Sequence, residues 1–300
     1  MKHLLKYTTA FGLLLMTHQV FAQDGAMTQD RATTEPLQKE YVNPDWLPSL
    51  VPDGTIDRVK DRSVKVLNWP DIRENDIAFK RRFWKRIDIH EKQNMPFIYP
   101  GDEYSGGGAF IEILIDGIKR GKIRAFQDDR FTTVLSYDDV KSKLNTESSA
   151  EVIDIITGES RIETVQNTFN PDDVAMYQVQ EDWIFDRNAG RMIPRLRGIT
   201  ANIMQKDDEG NFRNWVPLFT IYYPEARPVL AQYEVYNPQN DVHRISWTDY
   251  LDRMMYSGYI VKSSLNNPTG EMNQAGFDGL IKGKNEFQDL IQKEMDMWEL

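Results

Sequence analysis

Few residues in this chain have the type and spacing that catalysis requires. Paired acids occur at Asp128-Asp129 and at Asp138-Asp139, a pattern that could indicate hydrolysis by two carboxylates. Sequence neighbours point to opposite faces of a strand and lie about 100° apart on a helix, so neither pair brings two carboxylates face to face. We therefore interpret both pairs as turn and helix-cap residues.

Other patterns of catalytic or ligand-binding residues are missing from the sequence. It contains no cysteine, no G-x-S-x-G nucleophile motif and no H-E-x-x-H zinc motif. His90 and His243 are 153 positions apart, and neither has a candidate nucleophile beside it. Gly106-Gly107-Gly108 are not followed by a Lys-Ser/Thr pair, which favours a flexible helix entry over a phosphate loop. We expect no enzymatic activity, no cofactor and no metal.

The densest group of aromatic and charged residues is FTIYYPEARPVLAQYEVYNPQNDVHR, at 219–244. It holds four tyrosines, three prolines and two arginines. Tyr and Arg are enriched at protein interfaces because each combines a large contact area with polar groups. The stretch is therefore either an interaction surface or a packed strand-to-helix corner with satisfied tyrosine hydroxyls. The candidate interface residues are Tyr222, Tyr223, Arg227, Tyr233, Tyr236 and Arg244, together with Trp298 near the C-terminus.

The N-terminus has the layout of a secretory signal peptide. A cationic head at 2–6 and an apolar run at 10–16 precede small residues, which predicts cleavage between Ala22 and Gln23. The apolar run is shorter than the roughly 20 residues of a membrane-spanning helix. We expect residues 1–22 to be removed and the protein to reside in the periplasm.

Composition narrows the class of protein further. Without a cysteine, the chain can form no disulfide and has no site for a lipid after the signal, so we expect membrane association only through a partner. A chain of this length can bury a core without covalent staples. Loss of Lys2 and Lys6 with the signal changes the formal net charge from −10 to −12. Such an acidic balance argues against nucleic-acid binding, which depends on neutralising phosphates.

Periodicity divides the mature chain into three parts and predicts an α+β fold. The predicted fold is an antiparallel sheet of short strands with flanking helices. Residues 23–68 form an extended low-complexity arm without helical or strand period. Residues 69–268 form the α+β core, and residues 269–300 an amphipathic C-terminal helical segment that packs on its own domain or on a neighbour.

Within the core, helices are predicted over four segments. In DIRENDIAFKRRFWKRIDI (71–89), Phe79, Phe83 and Ile87 recur every four residues behind a capping-box pair. The other helices cover 110–118 with a stop at Gly121, two segments capped by Ser136 and Ser246, and 227–236.

Strands are predicted where the period is two. Short strands are expected at 122–126 and 131–135, and consecutive antiparallel strands run from 151 to 223 with turns between them. Pro194 and Pro217 lie inside two of these runs and mark strand starts, edges or bulges, because proline donates no ladder hydrogen bond.

Five segments spread over nearly the whole chain carry a family resemblance. They are RIDIHEKQNMPFIYP (86–100), EDWIFDRNAGRM (181–192), RGITA (197–201), LFTIYYPEARPVLAQYEVYNPQND (218–241) and SGYIVK (257–262). In these segments the sequence resembles the GldN/PorN family of the type IX secretion and gliding-motility machinery of Bacteroidota. The resemblance implies a non-enzymatic subunit of a periplasmic ring. The implied partners are a GldK/PorK-type outer-membrane lipoprotein and a GldM/PorM-type motor shaft.

A second class of function is a periplasmic glycan-binding or glycan-cleaving protein. Seven tryptophans, thirteen tyrosines and several acids suggest it. It predicts retention on peptidoglycan without a protein partner, whereas a ring subunit requires its lipoprotein.

If the 219–244 stretch is an interface, replacing Tyr223 and Arg227 by alanine weakens assembly and leaves the monomer folded. Equal loss of monomer stability indicates a packed corner instead.

Overall fold

The computed structural model describes residues 49–51, 54–55, 66–99, 107–144, 146–153, 160–167, 169–206, 212–237, 240, 245–265 and 277–298. Side chains at 146–153, 160–167 and 206 are not described. The predicted signal peptide, with Ala22 and Gln23, lies outside these residues. So do most of the predicted arm at 23–68 and the candidate interface residue Arg244.

The described part of the chain contains both strands and α-helices, and strands β4 to β8 follow one another without an intervening α-helix. The strands are β1 Ile77–Asp88, β2 Ala125–Phe126, β3 Val134–Leu135, β4 Thr146–Ile153, β5 Ser160–Asn167, β6 Met176–Asp186, β7 Arg191–Lys206, β8 Phe212–Tyr222, β9 Glu234–Val235, β10 Ile245–Ser246 and β11 Tyr259–Ser263. The α-helices are α1 Phe110–Lys119, α2 Tyr137–Leu144, α3 Tyr223–Leu230, α4 Trp247–Asp252 and α5 Phe277–Trp298.

One sheet organises the fold, and its neighbouring strands are antiparallel. The strand order is β11-β1-β6-β7-β8-β2-β3, with separate two-stranded pairs β9–β10 and β4–β5. The predicted α+β class, with an antiparallel sheet, flanking helices and a C-terminal helix, is confirmed.

The prolines inside the predicted strands lie where a missing N–H does least harm to the sheet. The β7–β8 register shifts at Pro217, which leaves Leu218 as the extra residue of a bulge. Pro194 lies where β7 is paired with β6 alone, since pairing with β8 begins at Gly198. Both positions match the predicted edge or bulge role.

Residues 77–88 form strand β1, and the helix predicted there is wrong. Phe79, Phe83 and Ile87 are four apart, and four is both close to one helical turn and a multiple of the two-residue strand period. β1 pairs with β6 along its length and with β11 over its second half. These long-range ladders override the local capping pattern, which leaves only the short 3-10 helix Glu74–Asp76.

Three of the predicted helices are confirmed with their terminal signals. The hydroxyl of Ser136 accepts from the backbone N–H of Asp139 at 3.1 Å, and Ser246 does the same for Asp249 at 3.1 Å. Gly121, after α1, has a φ of 65°, as its stop position requires. These signals are local in sequence, which explains why they could be read without the fold.

The helix predicted over 227–236 is displaced towards the N-terminus. α3 begins at Tyr223 and contains Pro224 in its first turn, where proline loses no hydrogen bond. It ends at Leu230, and residues 234–235 pair instead with β10. Here too a pairing partner distant in sequence decides the conformation.

Two apolar clusters lie on the same face of the sheet. Side chains two apart on β6 point to one face, and along that face Tyr177 and Val179 belong to the main core, whereas Phe185 belongs to a smaller one. The main core includes residues of α1, α3 and α4, and the smaller cluster includes Leu290 of α5. Glu181 lies between the two clusters in sequence and is fully buried.

Helix α5 packs on β11 of its own chain. A Cβ on Gly283 would lie 2.4 Å from the carbonyl oxygen of Ile260, so only glycine permits the observed approach. Arg81 of β1 also reaches Glu286 of α5, with 3.3 Å between Nη1 and Oε2. Of the two positions predicted for the C-terminal segment, α5 adopts the one on its own domain.

Candidate functional site

The strand-to-helix corner singled out in the sequence is a buried junction. β8 ends at Tyr222 and α3 begins at Tyr223 without an intervening loop. Tyr223 is 0% exposed and Arg227 is 7% exposed. These two side chains therefore face the interior of the chain.

Asp252, at the end of α4, joins the two polar groups of the corner. The Tyr223 hydroxyl donates to Oδ1 of Asp252 at 2.7 Å, and Nη2 of Arg227 donates to Oδ2 at 2.7 Å. The hydroxyl of Thr248 donates to the backbone carbonyl of Arg227 at 2.8 Å. Because each carboxylate oxygen has its own donor, α3 and α4 are held in one relative position.

Two guanidinium groups approach the ring of Trp69 at this corner. Its ring centroid is 4.8 Å from the guanidinium carbon of Arg195 and 4.4 Å from that of Arg227. Arg227 also donates to the carbonyl of Leu67 at 2.7 Å, and Arg195 donates to the carbonyl of Pro70 at 3.0 Å. The two arginines thus hold the ring and the backbone on either side of it.

Burial shifts the pKa of two groups at this corner, Tyr223 and Arg195. Burial raises the pKa of the Tyr223 hydroxyl far above its ordinary value, and the negative charge of Asp252 raises it further. Burial lowers the pKa of Arg195, the charge of Asp252 opposes that effect, and the charge of Arg227 adds to it. Tyr223 therefore remains a neutral hydrogen-bond donor at neutral pH.

A cavity of about 270 Å³ opens beside this cluster. Trp69, Arg195, Arg227, Ser246 and Asp252 are among the residues that line it. Asp252 accepts from Arg227, Arg195 donates to the carbonyl of Pro70 and Ser246 is bonded to Asp249. Nε of Arg227 is buried without a hydrogen-bond partner among the described residues. Because the other polar groups named here are bonded within the chain, the arrangement supports a structural junction.

Three of the other predicted interface residues, Tyr222, Tyr233 and Tyr236, have separate partners. The ring of Tyr222 packs edge-on against Phe131, and the Tyr233 hydroxyl donates to Asp116 at 3.1 Å. Burial raises the pKa of Tyr233, and the charge of Asp116 adds to this. Tyr236 is 37% exposed, and its ring packs in a tilted arrangement against that of Tyr99, with ring centroids 5.0 Å apart.

Among the predicted interface residues, the structure thus joins Tyr223 and Arg227 through Asp252. Their burial matches the packed-corner alternative. Tyr236 and Trp298 are exposed, Trp298 at 70%. The role of these residues in binding a partner remains a prediction.

One acid of each pair has the turn or helix-cap role that the sequence indicated. Asp128 accepts from the backbone N–H of Thr132 at 2.9 Å and closes a turn. Hydrogen bonds from Thr132 lower the pKa of Asp128. Asp139 accepts from the backbone N–H of Ser136 at 3.0 Å and from its hydroxyl, and these bonds lower its pKa. Asp129 accepts from the indole of Trp84 at 3.0 Å.

A buried charged cluster that the sequence did not reveal surrounds Glu181. Lys85 approaches it at 2.7 Å, the Tyr256 hydroxyl donates at 2.8 Å and the Trp183 indole donates at 2.9 Å. Burial raises the pKa of Tyr256, and the charge of Glu181 raises it further. Sequence patterns could not show this cluster, because Tyr256 is 75 positions from Glu181.

The described residues form neither a metal-binding cluster nor a membrane-spanning helix. No group of three or more His, Asp or Glu side chains is arranged to hold a metal ion there. No described helix has the length and apolarity needed to span a bilayer. Among the described tryptophans, Trp298 alone is exposed.

The protein has an α+β fold. Two of its charged pairs, Arg227 with Asp252 and Lys85 with Glu181, connect different helices and strands. The model of the family of gliding motility associated proteins GldN matches residues 72–299. The chain therefore belongs to the GldN family, which supports a part in gliding motility and type IX secretion. No curated protein matches the chain.

Proposed function

We propose that this protein is a non-enzymatic structural subunit of a periplasmic ring in the type IX secretion and gliding-motility machinery. It assembles with a GldK/PorK-type outer-membrane lipoprotein and contacts a GldM/PorM-type periplasmic shaft. Membership of the GldN family over residues 72–299 is the observation that carries this proposal.

The residues of the chain are consistent with such a role. Asp128 closes a turn and Asp139 belongs to a helix cap. Asp252 and Glu181 are bonded to other side chains within the fold. Because these carboxylates already have partners, they favour a scaffold over a hydrolase. The predicted signal peptide and the lack of cysteine would place the protein in the periplasm, held at the outer membrane by its lipoprotein partner.

Co-expression with the lipoprotein tests the proposal directly. The mature chain and the GldK/PorK-type protein are produced together and separately, extracted gently and imaged by negative-stain electron microscopy. Rings in the joint preparation, and none with either protein alone, are the expected result. Small particles without co-purification would contradict the proposal. Retention on peptidoglycan without any partner would support the glycan-binding alternative.

A further inference from the structure

The cavity beside the strand-to-helix corner is open to solvent and small. Leu67 and Arg253 line it, and both are exposed, so a ligand can reach it from outside the chain. Its volume of about 270 Å³ lies just below the roughly 300–1,000 Å³ of typical small-ligand sites. The cavity therefore suits a group about the size of one amino-acid side chain.

The wall of the cavity carries a net positive charge. The charged residues that line it are three arginines and two aspartates, which give a net charge of +1: Arg195, Arg227, Arg253, Asp249 and Asp252. This sign is opposite to that of the whole chain, whose formal net charge is −10. Such a wall attracts an anion, and a single negative charge balances it.

Both aspartates of the wall are already bonded within the chain. Asp252 accepts from Tyr223 and from Arg227 at 2.7 Å each, and Asp249 accepts from the hydroxyl of Ser246 at 2.9 Å. Their negative charges repel a ligand that itself carries two negative charges, such as a phosphate monoester. A carboxylate carries one negative charge and is therefore the better match.

Arg195 is a half-buried cation of this wall without a carboxylate of its own. Its guanidinium donates to the neutral carbonyl of Pro70 at 3.0 Å. Asp182 lies opposite Arg195 in the β6–β7 ladder, but Asp182 is paired with Lys80 and Arg82. No ion pair between described residues involves Arg195. An anion in the cavity would supply the missing counter-charge.

The surroundings of Arg195 disfavour its positive charge. Burial lowers the pKa of Arg195, the charge of Asp252 opposes this effect, and the positive charges of Arg227 and Arg191 add to it. A bound carboxylate would offset these unfavourable interactions. The planar guanidinium group also matches a carboxylate geometrically, because two of its N–H groups can donate to the two oxygens in parallel.

Apolar side chains complete the wall of the cavity, among them Trp69, Leu196 and Ala231. We infer that the cavity binds a carboxylate carried on a short apolar group, with Arg195 as the residue that binds the anion. The carboxylate belongs either to a small free acid or to an acidic side chain of a bound protein, and the chemistry of recognition is the same. This inference does not depend on the proposed ring, because it rests on the cavity alone.

Fluorine NMR of the mature chain tests the site. The seven tryptophans are replaced by fluorotryptophan during expression, and the Trp69→Phe variant identifies the resonance of Trp69. Butyrate is the probe, and butyramide is its neutral control because the two have nearly the same shape. At constant ionic strength, we expect butyrate to shift the Trp69 resonance saturably and butyramide to leave it unchanged.

Substitutions of arginine then locate the group that binds the anion. Arg195→Gln should raise the dissociation constant of butyrate roughly tenfold or more, because it removes a charge-assisted hydrogen bond. Arg195→Lys keeps the charge without the planar fork and should bind with intermediate affinity. Arg130→Gln is the matched control, because Arg130 is exposed and does not line the cavity, and it should bind butyrate like the natural chain. Circular dichroism shows whether each variant remains folded.

A peptide distinguishes the two sources of the carboxylate. The tripeptide Leu-Glu-Leu with blocked ends is titrated beside its Leu-Gln-Leu counterpart. Binding of the glutamate peptide that is tighter than that of butyrate assigns the site to a protein side chain. Tighter binding of butyrate assigns it to a small free acid. Either result supports the carboxylate site, provided that Arg195→Gln weakens the binding.

Other outcomes overturn the inference. The site is excluded if neither butyrate nor the glutamate peptide shifts the Trp69 resonance saturably, or if butyramide shifts it equally. Unchanged butyrate affinity in a folded Arg195→Gln variant also contradicts it. If that variant does not fold, the comparison of butyrate with butyramide on the natural chain still decides. Rings that form with the lipoprotein although no carboxylate binds would leave the proposed function intact.

Discussion

The guanidinium group of Arg227 lies 2.7 Å from Oδ2 of Asp252 and connects α3 to α4. The side chain of Arg227 is 9% exposed and that of Asp252 is 22% exposed, so water screens the pair weakly. Tyr223 and Trp69 also donate to this carboxylate. Asp252 of α4 is thus bonded to α3 and to the segment that precedes the sheet.

Removing the charge of Asp252 should destabilise the fold. Asp252→Asn leaves the buried guanidinium of Arg227 without its counter-charge, and we expect the free energy of unfolding to fall by about 3 kcal/mol. Urea unfolding of the mature chain measures this loss. Arg124→Ala is the control, because it removes a more exposed ion pair with Glu225 that water screens, and it should lower the free energy of unfolding much less than Asp252→Asn does. Equal effects of the two substitutions would contradict the structural role of Asp252.

Replacing Tyr223 and Arg227 together by alanine should unfold or severely destabilise the isolated monomer. The substitution removes a fully buried aromatic ring and leaves Asp252 with two fewer donors. We expect a loss of at least about 4 kcal/mol. Thermal unfolding of the monomer measures it. A stable double variant that fails to assemble would instead support the interface alternative for these residues.

Trp69→Ala should release the segment at 66–70 from the corner. The substitution removes ring contacts with Arg195 and Arg227, each worth roughly 0.5–2 kcal/mol. Limited proteolysis should then cut near Leu67 at least several-fold faster. The Trp69→Phe variant keeps an aromatic ring beside the two arginines, and protease should cut it at an intermediate rate. Unchanged cleavage in Trp69→Ala would mean that other contacts hold this segment.

Gly283→Ala should displace α5 from β11. The added Cβ would meet backbone at Ile260, which cannot rotate away as a side chain can. We expect a loss of about 1–3 kcal/mol and faster hydrogen exchange in α5. Asn285→Ala, at an exposed position of the same helix, should leave stability unchanged or slightly higher. If both variants behave alike, close packing at Gly283 is not required.

Asp182 should make the stability of the protein depend on acid pH. Burial alone would raise the pKa of Asp182, but its bonds to Arg82 and Lys80 outweigh burial and lower it. A lowered folded-state pKa stabilises the fold above the unfolded pKa of about 3.9, and this stabilisation disappears as the pH falls through the folded value.

Asp182→Asn tests this dependence. At pH 6 the variant should be less stable than the natural chain by about 2 kcal/mol, and the difference should shrink below about pH 4. Asp138→Asn is the control, because it removes the same charge from an exposed position. A difference between Asp182→Asn and the natural chain that is independent of pH would contradict the assignment.

Much of the fold could be predicted from the sequence because its signals are local. Strands β6 to β8 alternate with a period of two and end at turn residues. Ser136 and Ser246 cap helices through hydrogen bonds with residues three positions away. Pro217 donates no ladder hydrogen bond, so it indicates a bulge or an edge whichever strand lies beside it. The family resemblance is similarly contained in contiguous segments, and the GldN match confirms it.

Features of the fold that depend on residues far apart in the sequence could be seen only in the tertiary structure. The spacing of Phe79, Phe83 and Ile87 suits a helix or a strand, and only pairing with β6 and β11 selected the strand. Tyr223 and Arg227 were visible as a polar cluster, but their burial depends on Asp252, 25 or more positions away. Sequence therefore determined the helix caps and the element types that have local signals. Long-range pairing selected the strand at residues 77–88, and burial decided which polar residues the surface retains.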